Sequence, residues 1–323
     1  MDYREELLRT PQILKRVMEE KQEAALTRAP LLVFCGCGTS FYLCSQMAGL
    51  CGVQGRRALA VEAAELLEDG IRIREQGAFF LFLSRSGASR ETVLAQRAAQ
   101  EAGFSTFYLG CTAGSPLDLA CGSSRVIPFA REALVLESYS STAQLLCLAL
   151  CCGLKVSPRT PDLARAALEQ AEAIYRSALT GMEIRRMICL GAPFYLPLLK
   201  ELMLKNGEIT QKFSEVWGLL EFRHGPRSWA DRDCLVTAVP GVRTLAYDRR
   251  VAEELVSYGC RVLWCGPEPP AGTLAVKLEA AVRSVEECLA LLTFQTGLAA
   301  EIGRACGVDA DHLRHVVDSV GEL

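Results

Sequence analysis

The amino-acid sequence repeats a series of apolar segments at a nearly constant offset of about 155 residues. The segments at 31–36, 79–83 and 107–110 recur at 187–191, 234–239 and 262–266. Because all three recur in the same order, they indicate a duplicated α/β unit. Apolar strands that alternate with helical segments are typical of parallel sheets. The sequence therefore predicts an α/β fold of two tandem, doubly wound parallel-sheet domains (flavodoxin-like), over residues 1–156 and 157–323.

Hydrophobic periodicity predicts the elements of each domain. In the first domain we expect strands near 31–35, 57–61, 79–83, 105–109 and 125–128, and helices near 4–29, 39–51, 64–75 and 90–102. The proline-containing segment 157–161 is the predicted linker. In the second domain we expect a helix to about 178, strands near 186–190, 234–239, 260–265 and 273–277, and helices at 281–305 and 309–319.

Composition and charge favour a soluble globular protein. Hydrophobic residues make up 50% and charged residues 23% of the 323 residues, which is enough chain for two domains. The net charge of -3 gives no basic surface for nucleic acid or anionic membrane. We find no apolar run of about 18 residues that would predict a membrane span. The amino terminus has no signal-peptide pattern, and the predicted location is the cytoplasm.

Fifteen cysteines are scattered through the predicted strands and helices, and the chain has only three histidines. Paired Cys-x-x-Cys spacing, which would favour a zinc site, is missing. We expect the cysteines to pack as small apolar side chains in a reducing compartment.

Two loops of the first domain place glycines and hydroxyl groups where predicted strands end. Gly36-Cys37-Gly38-Thr39-Ser40 leads into a helix, whose free N–H groups favour an anion. Ser84-Arg85-Ser86-Gly87-Ala88-Ser89 follows another strand with three hydroxyls and a guanidinium. These donors at the carboxyl end of a parallel sheet predict a phosphate cradle. The alternatives are a strand–helix turn built from small residues for packing, and a serine-rich helix cap.

The corresponding loops of the second domain lack this chemistry. They contain Gly191-Ala192-Pro193 and Pro240-Gly241, which carry no hydroxyl group. One domain is thus predicted to hold an anion and the other to serve as scaffold. The spacing of the first domain's loops does not fit a nucleotide P-loop or a dinucleotide-binding fingerprint.

A second set of polar residues lies in the second domain. Lys205 and Glu208 are three residues apart and share one face of a helix. His224 lies in a loop, between Arg223 and Gly225. An imidazole changes protonation near neutral pH and suits proton transfer to oxygen. A carboxylate and a histidine could open a sugar ring and move a proton between C2 and C1; a solvated ion pair without catalytic role is the alternative.

Together these motifs resemble the family of proteins made of two sugar isomerase (SIS) domains, over essentially the whole chain. The matching stretches are Phe34-x-Gly36-x-Gly38-Thr39-Ser40, Ser84-x-Ser86-Gly87-x-Ser89-x-Glu91-Thr92 and Arg223-His224-Gly225-Pro226. The chain resembles the isomerase half of glucosamine-6-phosphate synthase. Stretches 220–228, 244–248 and 313–320 are most similar to the tagatose-6-phosphate ketose/aldose isomerases, also described as galactosamine-6-phosphate deaminases.

The resemblance implies roles for particular residues. The 6-phosphate of a sugar would be held by Thr39, Ser40, Ser84, Arg85, Ser86 and Ser89. The catalytic residues would be Glu208, Lys205 and His224: Glu208 as the isomerising base, Lys205 beside it, and His224 to open the ring. Further substrate contacts would come from Gly38, Ser141 and Glu221. The resemblance also implies a homodimer or higher homo-oligomer with shared active sites.

The predicted function is a sugar-phosphate aldose/ketose isomerase or deaminase. It would convert a hexosamine 6-phosphate into a ketose 6-phosphate and ammonia. No metal or organic cofactor is expected, because the base acts on an already acidified C–H. The expected partner is a small-molecule sugar phosphate, not nucleic acid or a membrane. A fructosamine-6-phosphate deglycase and a non-catalytic sugar-phosphate sensor are the alternatives, and the presence of both Glu208 and His224 favours an enzyme.

Overall fold

The computed structural model describes residues 2–20, 26, 29–313, 315 and 317, which fold into two compact units. The first unit comprises the described residues of 1–161, 283–289 and 311–323. The second comprises residues 162–282 and 290–310. The first unit therefore takes in two segments from the last part of the chain, while the predicted boundary between residues 156 and 157 stays a prediction.

The first unit contains a five-stranded sheet with the order β2-β1-β3-β4-β5, and every neighbouring pair is parallel. Its strands are β1 (Leu32–Gly36), β2 (Ala58–Glu62), β3 (Phe79–Leu83), β4 (Ser105–Gly110) and β5 (Ser123–Val126). Its helices are α1 (Tyr3–Leu7), α2 (Thr10–Glu19), α3 (Thr39–Val53), α4 (Ala63–Asp69), α5 (Arg90–Glu101), α6 (Pro116–Ala120) and α7 (Ser140–Cys151). All five residues of β1 are buried, as expected for a strand covered on both faces.

The second unit contains a parallel sheet with the order β10-β9-β8-β6-β7. Its strands are β6 (Arg186–Gly191), β7 (Phe213–Gly218), β8 (Cys234–Val239), β9 (Arg261–Trp264) and β10 (Leu274–Ala275). Its helices are α8 (Thr160–Ile174, extended by a π-helical turn at Tyr175–Leu179), α9 (Leu196–Thr210) and α10 (Leu245–Ser257). The first two residues of α8 are grouped with the first unit. Helix α11 (Val285–Ala305) begins among residues grouped with the first unit and continues in the second.

The two sheets have the same strand order when they are read in chain sequence, which confirms the predicted duplication. In each sheet the first strand lies between the second and the third. The fold class of two tandem, doubly wound parallel sheets is therefore confirmed. Strand β7 lies outside the predicted strands, although it repeats β2 at the same offset. It is an edge strand of mixed polarity, so no continuous apolar run marks it.

Three predicted helices differ from the structure. The helix expected over 4–29 is interrupted between α1 and α2, because Pro11 lacks an N–H and fits only the first turn of a new helix. The helix expected over 64–75 ends at Asp69, where Gly70 takes a left-handed φ of 69°. Residues 309–313 are not helical, and most of the remaining predicted segment, to residue 319, lies outside the described residues.

Burial confirms the predicted packing role of the cysteines. All fifteen are free thiols, and all except Cys37, Cys121 and Cys306 are buried. Each sheet has an apolar core of its own, to which Cys35 contributes in the first unit and Cys234 and Cys260 in the second. Among the described residues, we find no helix that is both long and apolar enough to cross a membrane.

Candidate active site

The two predicted phosphate loops leave neighbouring strands at the point where the strand order of the first sheet reverses. Strand β1 pairs with β2 on one side and with β3 on the other. In open α/β sheets, ligands bind at the carboxyl ends of strands beside such a reversal. A Cβ atom added to Gly36 would lie 3.0 Å from the carbonyl oxygen of Leu83 and 2.9 Å from the Cβ of Ser40. The loops after β1 and β3 therefore start in direct contact.

The loop after β1 turns directly into α3. Gly38 has φ 51° and ψ −129°, a combination that side chains rarely permit, and Thr39 is the first helical residue. Thr39 is half-buried and Ser40 is buried. The thiol of Cys37 lies 3.3 Å from the hydroxyl of Thr92 on α5, the helix that follows the other loop. This contact holds the two loops side by side.

The loop after β3 fixes its serine oxygens by hydrogen bonds from its own backbone. The hydroxyl oxygen of Ser84 accepts from the N–H of Gly87 at 3.1 Å, and that of Ser86 accepts from the N–H of Ala88 at 3.2 Å. Ser89 is half-buried at the start of α5, and its side chain makes no capping hydrogen bond. A hydroxyl whose oxygen accepts from the backbone can still donate its own proton. The loop thus has the donors that an anion requires.

Arg85 lies in the same loop, and its guanidinium is bound by protein groups. It lies 3.4 Å from a carboxylate oxygen of Glu132 and 3.7 Å from one of Glu137, and it donates to the carbonyl oxygen of Val135 at 2.6 Å. Burial raises the pKa of Glu132, Glu137 raises it further, and the charge of Arg85 opposes both. Two carboxylates thus compensate the charge that was predicted to face a phosphate.

Glu132 connects this ion-pair cluster to α7, which carries the predicted substrate contact Ser141. One carboxylate oxygen of Glu132 accepts from the N–H of Ser138 at 2.8 Å and from that of Ser140 at 2.6 Å. Ser141 is buried in the first turn of α7. Arg85 therefore fixes the segment that leads into α7. Neither Glu132 nor Glu137 belongs to the motifs that the sequence singles out.

In the second unit, Lys205 and Glu208 form the predicted pair on α9, and the structure adds a third member. The Lys205 ammonium donates to Glu208 at 3.2 Å and lies 3.7 Å from Glu201. The exposed fraction of the side chain is 0% for Glu201, 2% for Lys205 and 21% for Glu208. Of these three side chains, Glu208 is therefore the one that a substrate can reach. Glu201 lies four residues before Lys205, a spacing that could have indicated the contact.

His224 is exposed in the loop that follows β7, on two short 3₁₀ turns, Glu221–His224 and Pro226–Trp229. Fully buried Phe222 anchors this loop, and Glu221 accepts a hydrogen bond from the N–H of Gly218 at 3.4 Å. A surface cavity of about 520 Å³ is lined by Leu220, Arg223, His224, Arg227 and Tyr247. Arg223 and Arg227 are both paired with Glu254. The imidazole of His224 is thus exposed to solvent, beside two arginines whose charges are compensated by Glu254.

Comparison with known sequences finds distant relatives, and no family model matches the chain. The chain is 24% identical over 322 residues to the glutamine–fructose-6-phosphate aminotransferase (isomerizing) of Campylobacter jejuni. This match covers 94% of this chain and 53% of that protein. It is 28% identical over 238 residues to the protein of the same name from Chlorobaculum tepidum. That match covers 66% of this chain and 38% of the relative. The chain thus spans about half or less of the curated relatives it matches.

Solved structures share the fold over nearly the whole chain. The C-terminal domain of glucosamine-fructose-6-phosphate aminotransferase from Francisella tularensis has a TM-score of 0.84 at 18% identity and covers 96% of this chain and 98% of its own. Glucosamine-6-phosphate deaminase from Thermotoga maritima has a TM-score of 0.81 at 20% identity and covers 99% of both chains. Tagatose-6-phosphate ketose/aldose isomerase from Escherichia coli has a TM-score of 0.80 at 20% identity, covering 96% of this chain and 95% of its own. This chain is thus similar in sequence to glutamine–fructose-6-phosphate aminotransferases and shares the fold of these solved phosphosugar enzymes.

Proposed function

We propose that this protein is a sugar-phosphate isomerase that deaminates a hexosamine 6-phosphate to a ketose 6-phosphate. The observation that supports this most directly is the cradle at the strand reversal of the first unit. There Ser84 and Ser86 have oxygens fixed by the backbone and protons left to donate. Hydrogen bonds to a charged group are stronger than those between neutral groups, so a phosphate is the ligand that gains most from this arrangement.

The chemistry proposed for the second unit is proton transfer. His224 moves a proton to the ring oxygen as the C1–O bond of the ring opens and an aldehyde forms. Glu208 removes the proton from C2 and returns it to C1, while a second proton passes from the amine nitrogen to O1. The aldehyde and amine thereby become a C2 imine with a C1 hydroxymethyl group. Water adds to the imine carbon, and ammonia leaves as the ketone forms. Lys205 compensates the charge of Glu208 at 3.2 Å.

The substrate and reaction are tested together with a panel of hexosamine and fructosamine 6-phosphates. Production of ammonia and a ketose 6-phosphate from a hexosamine 6-phosphate is the expected result. Release of a free amine from a fructosamine 6-phosphate, with no ammonia from any hexosamine phosphate, would replace the proposal by a deglycase. Saturable binding of a sugar phosphate without any product would replace it by a sensor.

Loss of the cradle hydroxyls should weaken sugar-phosphate binding. Because a hydrogen bond to a charged group contributes roughly 1.5–3 kcal/mol, Ser86→Ala should lower the affinity about tenfold or more. Titration calorimetry with a sugar phosphate measures this directly. The matched control is Ser123→Ala, which removes an exposed hydroxyl of the same unit. Unchanged affinity in the Ser84→Ala/Ser86→Ala double variant would remove these serines from the site.

We further propose that the protein acts as a homodimer or higher homo-oligomer in which one site uses residues of two chains. Glu208→Gln and His224→Ala proteins should each be inactive alone. Mixed subunits should regain activity, because one chain then supplies Glu208 and the other supplies His224. Activity of the co-refolded mixture measures this, with each variant refolded alone as the control. A stable and active monomer in sedimentation velocity would contradict the shared site.

A further inference from the structure

The second unit has a loop at the position equivalent to the phosphate cradle of the first unit, but this loop carries different residues. The registers of β3 with β4 and of β8 with β9 place Phe80 opposite Thr106 and Leu235 opposite Arg261, at the same offset in both sheets. Continued beyond the strands, this offset makes Gly241 the counterpart of Ser86 and Thr244 that of Ser89. Both Ser89 and Thr244 are the residues that immediately precede a helix, α5 and α10 respectively.

A carboxylate of the second unit occupies this counterpart position. The N–H of Gly241 donates to Oδ2 of Asp248 at 2.8 Å, and the hydroxyl of Thr244 donates to the same oxygen at 2.6 Å. Asp248 lies in the first turns of α10 and is 1% exposed. A Cβ atom added to Gly241 would lie 2.5 Å from the Thr244 hydroxyl, so the close approach requires glycine. One backbone N–H, one hydroxyl and a helix start thus converge on a buried negative charge, as they would on a phosphate oxygen.

The corresponding donors of the first unit are not used in this way. Val93 stands where the second unit has Asp248, and it packs into the apolar core of the first unit. The side chain of Ser89 makes no capping hydrogen bond. Among the described residues, we find no acceptor for the backbone N–H of Ser86. The position whose carboxylate fills the second cradle, Asp248, is therefore an apolar valine in the first unit.

We propose that Asp248 closes the second copy of the cradle with an internal carboxylate and so limits each chain to one phosphate. The count of one rests on the proposed function of the first cradle. A phosphate that entered the second cradle would have to displace a buried carboxylate from both donors and then remain beside a like charge. Asp248 is thus a specificity-determining residue of the duplicated fold, because it confines phosphate binding to the first unit.

Replacement of Asp248 by alanine tests this. Titration calorimetry with inorganic phosphate should give one site per chain for the original protein and two for Asp248→Ala. The matched control is Glu253→Ala, which removes one exposed negative charge from the same helix and should leave one site. A folded Asp248→Ala protein with an unchanged number of sites would overturn the proposal, as would a second site gained equally by Glu253→Ala.

Two further measurements separate this proposal from the proposed function. Adding Asp248→Ala to the Ser84→Ala/Ser86→Ala background should leave one phosphate site, reported by a shift of the Gly241 amide resonance. If the original protein binds no phosphate but Asp248→Ala gains a site, the proposed function fails and the closed cradle stands. If Asp248→Ala does not fold, the original protein still decides: its Gly241 amide should not respond to phosphate, and a saturable shift there would overturn the proposal.

Discussion

Replacing Glu208 with glutamine should lower kcat for the hexosamine phosphate by about 10²–10⁴-fold, the usual contribution of general acid–base catalysis. Glutamine keeps the shape of the side chain and can still accept a hydrogen bond from Lys205, so substrate binding should survive. Of the three charged side chains that form ion pairs on α9, which are Glu201, Lys205 and Glu208, only Glu208 has an appreciable exposed fraction, 21%. Glu201, the other carboxylate paired with Lys205, cannot replace it because it is fully buried.

The matched control is Glu183→Gln, which removes an exposed carboxylate paired with Arg185 and should retain the original rate. Exchange of the C2 proton with deuterated solvent, followed by NMR, should vanish in Glu208→Gln and persist in the control. Near-normal turnover by Glu208→Gln would make Glu208 an ion-pair partner of Lys205 without a role in proton transfer.

Much of the fold could be predicted from the sequence because the duplication leaves a strong periodic signal. The central strands are buried on both faces, so they read as continuous apolar runs, and β1, β3, β6 and β8 lie close to their predicted positions. Edge strands give a weaker signal. Phe213–Gly218 mixes polar and apolar residues without regular alternation at the sheet margin, and β10 has only two residues. The position of β7 depends on pairing with a neighbouring strand, which its local pattern does not record.

The candidate site could be predicted in part for a similar reason. The serine loop and the Lys205–Glu208 pair are contiguous in sequence, so local spacing is enough to find them. The partners that decide the electrostatics are not contiguous. Glu132 and Glu137 reach Arg85 from about 50 residues away in the chain, and only the fold brings them together. The sequence therefore predicts a guanidinium available for phosphate, whereas the structure shows one compensated by two carboxylates.

Replacing Arg85 with methionine should destabilise the protein by about 3–5 kcal/mol at pH 7, the cost of leaving a buried charge without its partner. The side chains of Arg85 and Glu132 are only 7% and 0% exposed, so water cannot replace the lost contact. Methionine keeps most of the apolar stem of arginine, which limits the loss of packing. Urea denaturation followed by circular dichroism measures the change. The control is Arg57→Met, which breaks an exposed pair with Glu75 and should have little effect.

The loss in Arg85→Met should depend on pH in a direction set by Glu132. Burial already raises the pKa of this carboxyl, and Arg85 is the charge that opposes the rise. Without Arg85 the folded-state pKa moves further above the unfolded value of about 4.3. A group with a raised folded-state pKa contributes stability that is present below the unfolded pKa and lost as pH rises through the folded one. The stability deficit of Arg85→Met should therefore shrink as pH falls from 7 towards 4. A deficit that stays constant over this range would show that lost packing, and not the uncompensated Glu132 carboxylate, destabilises the variant.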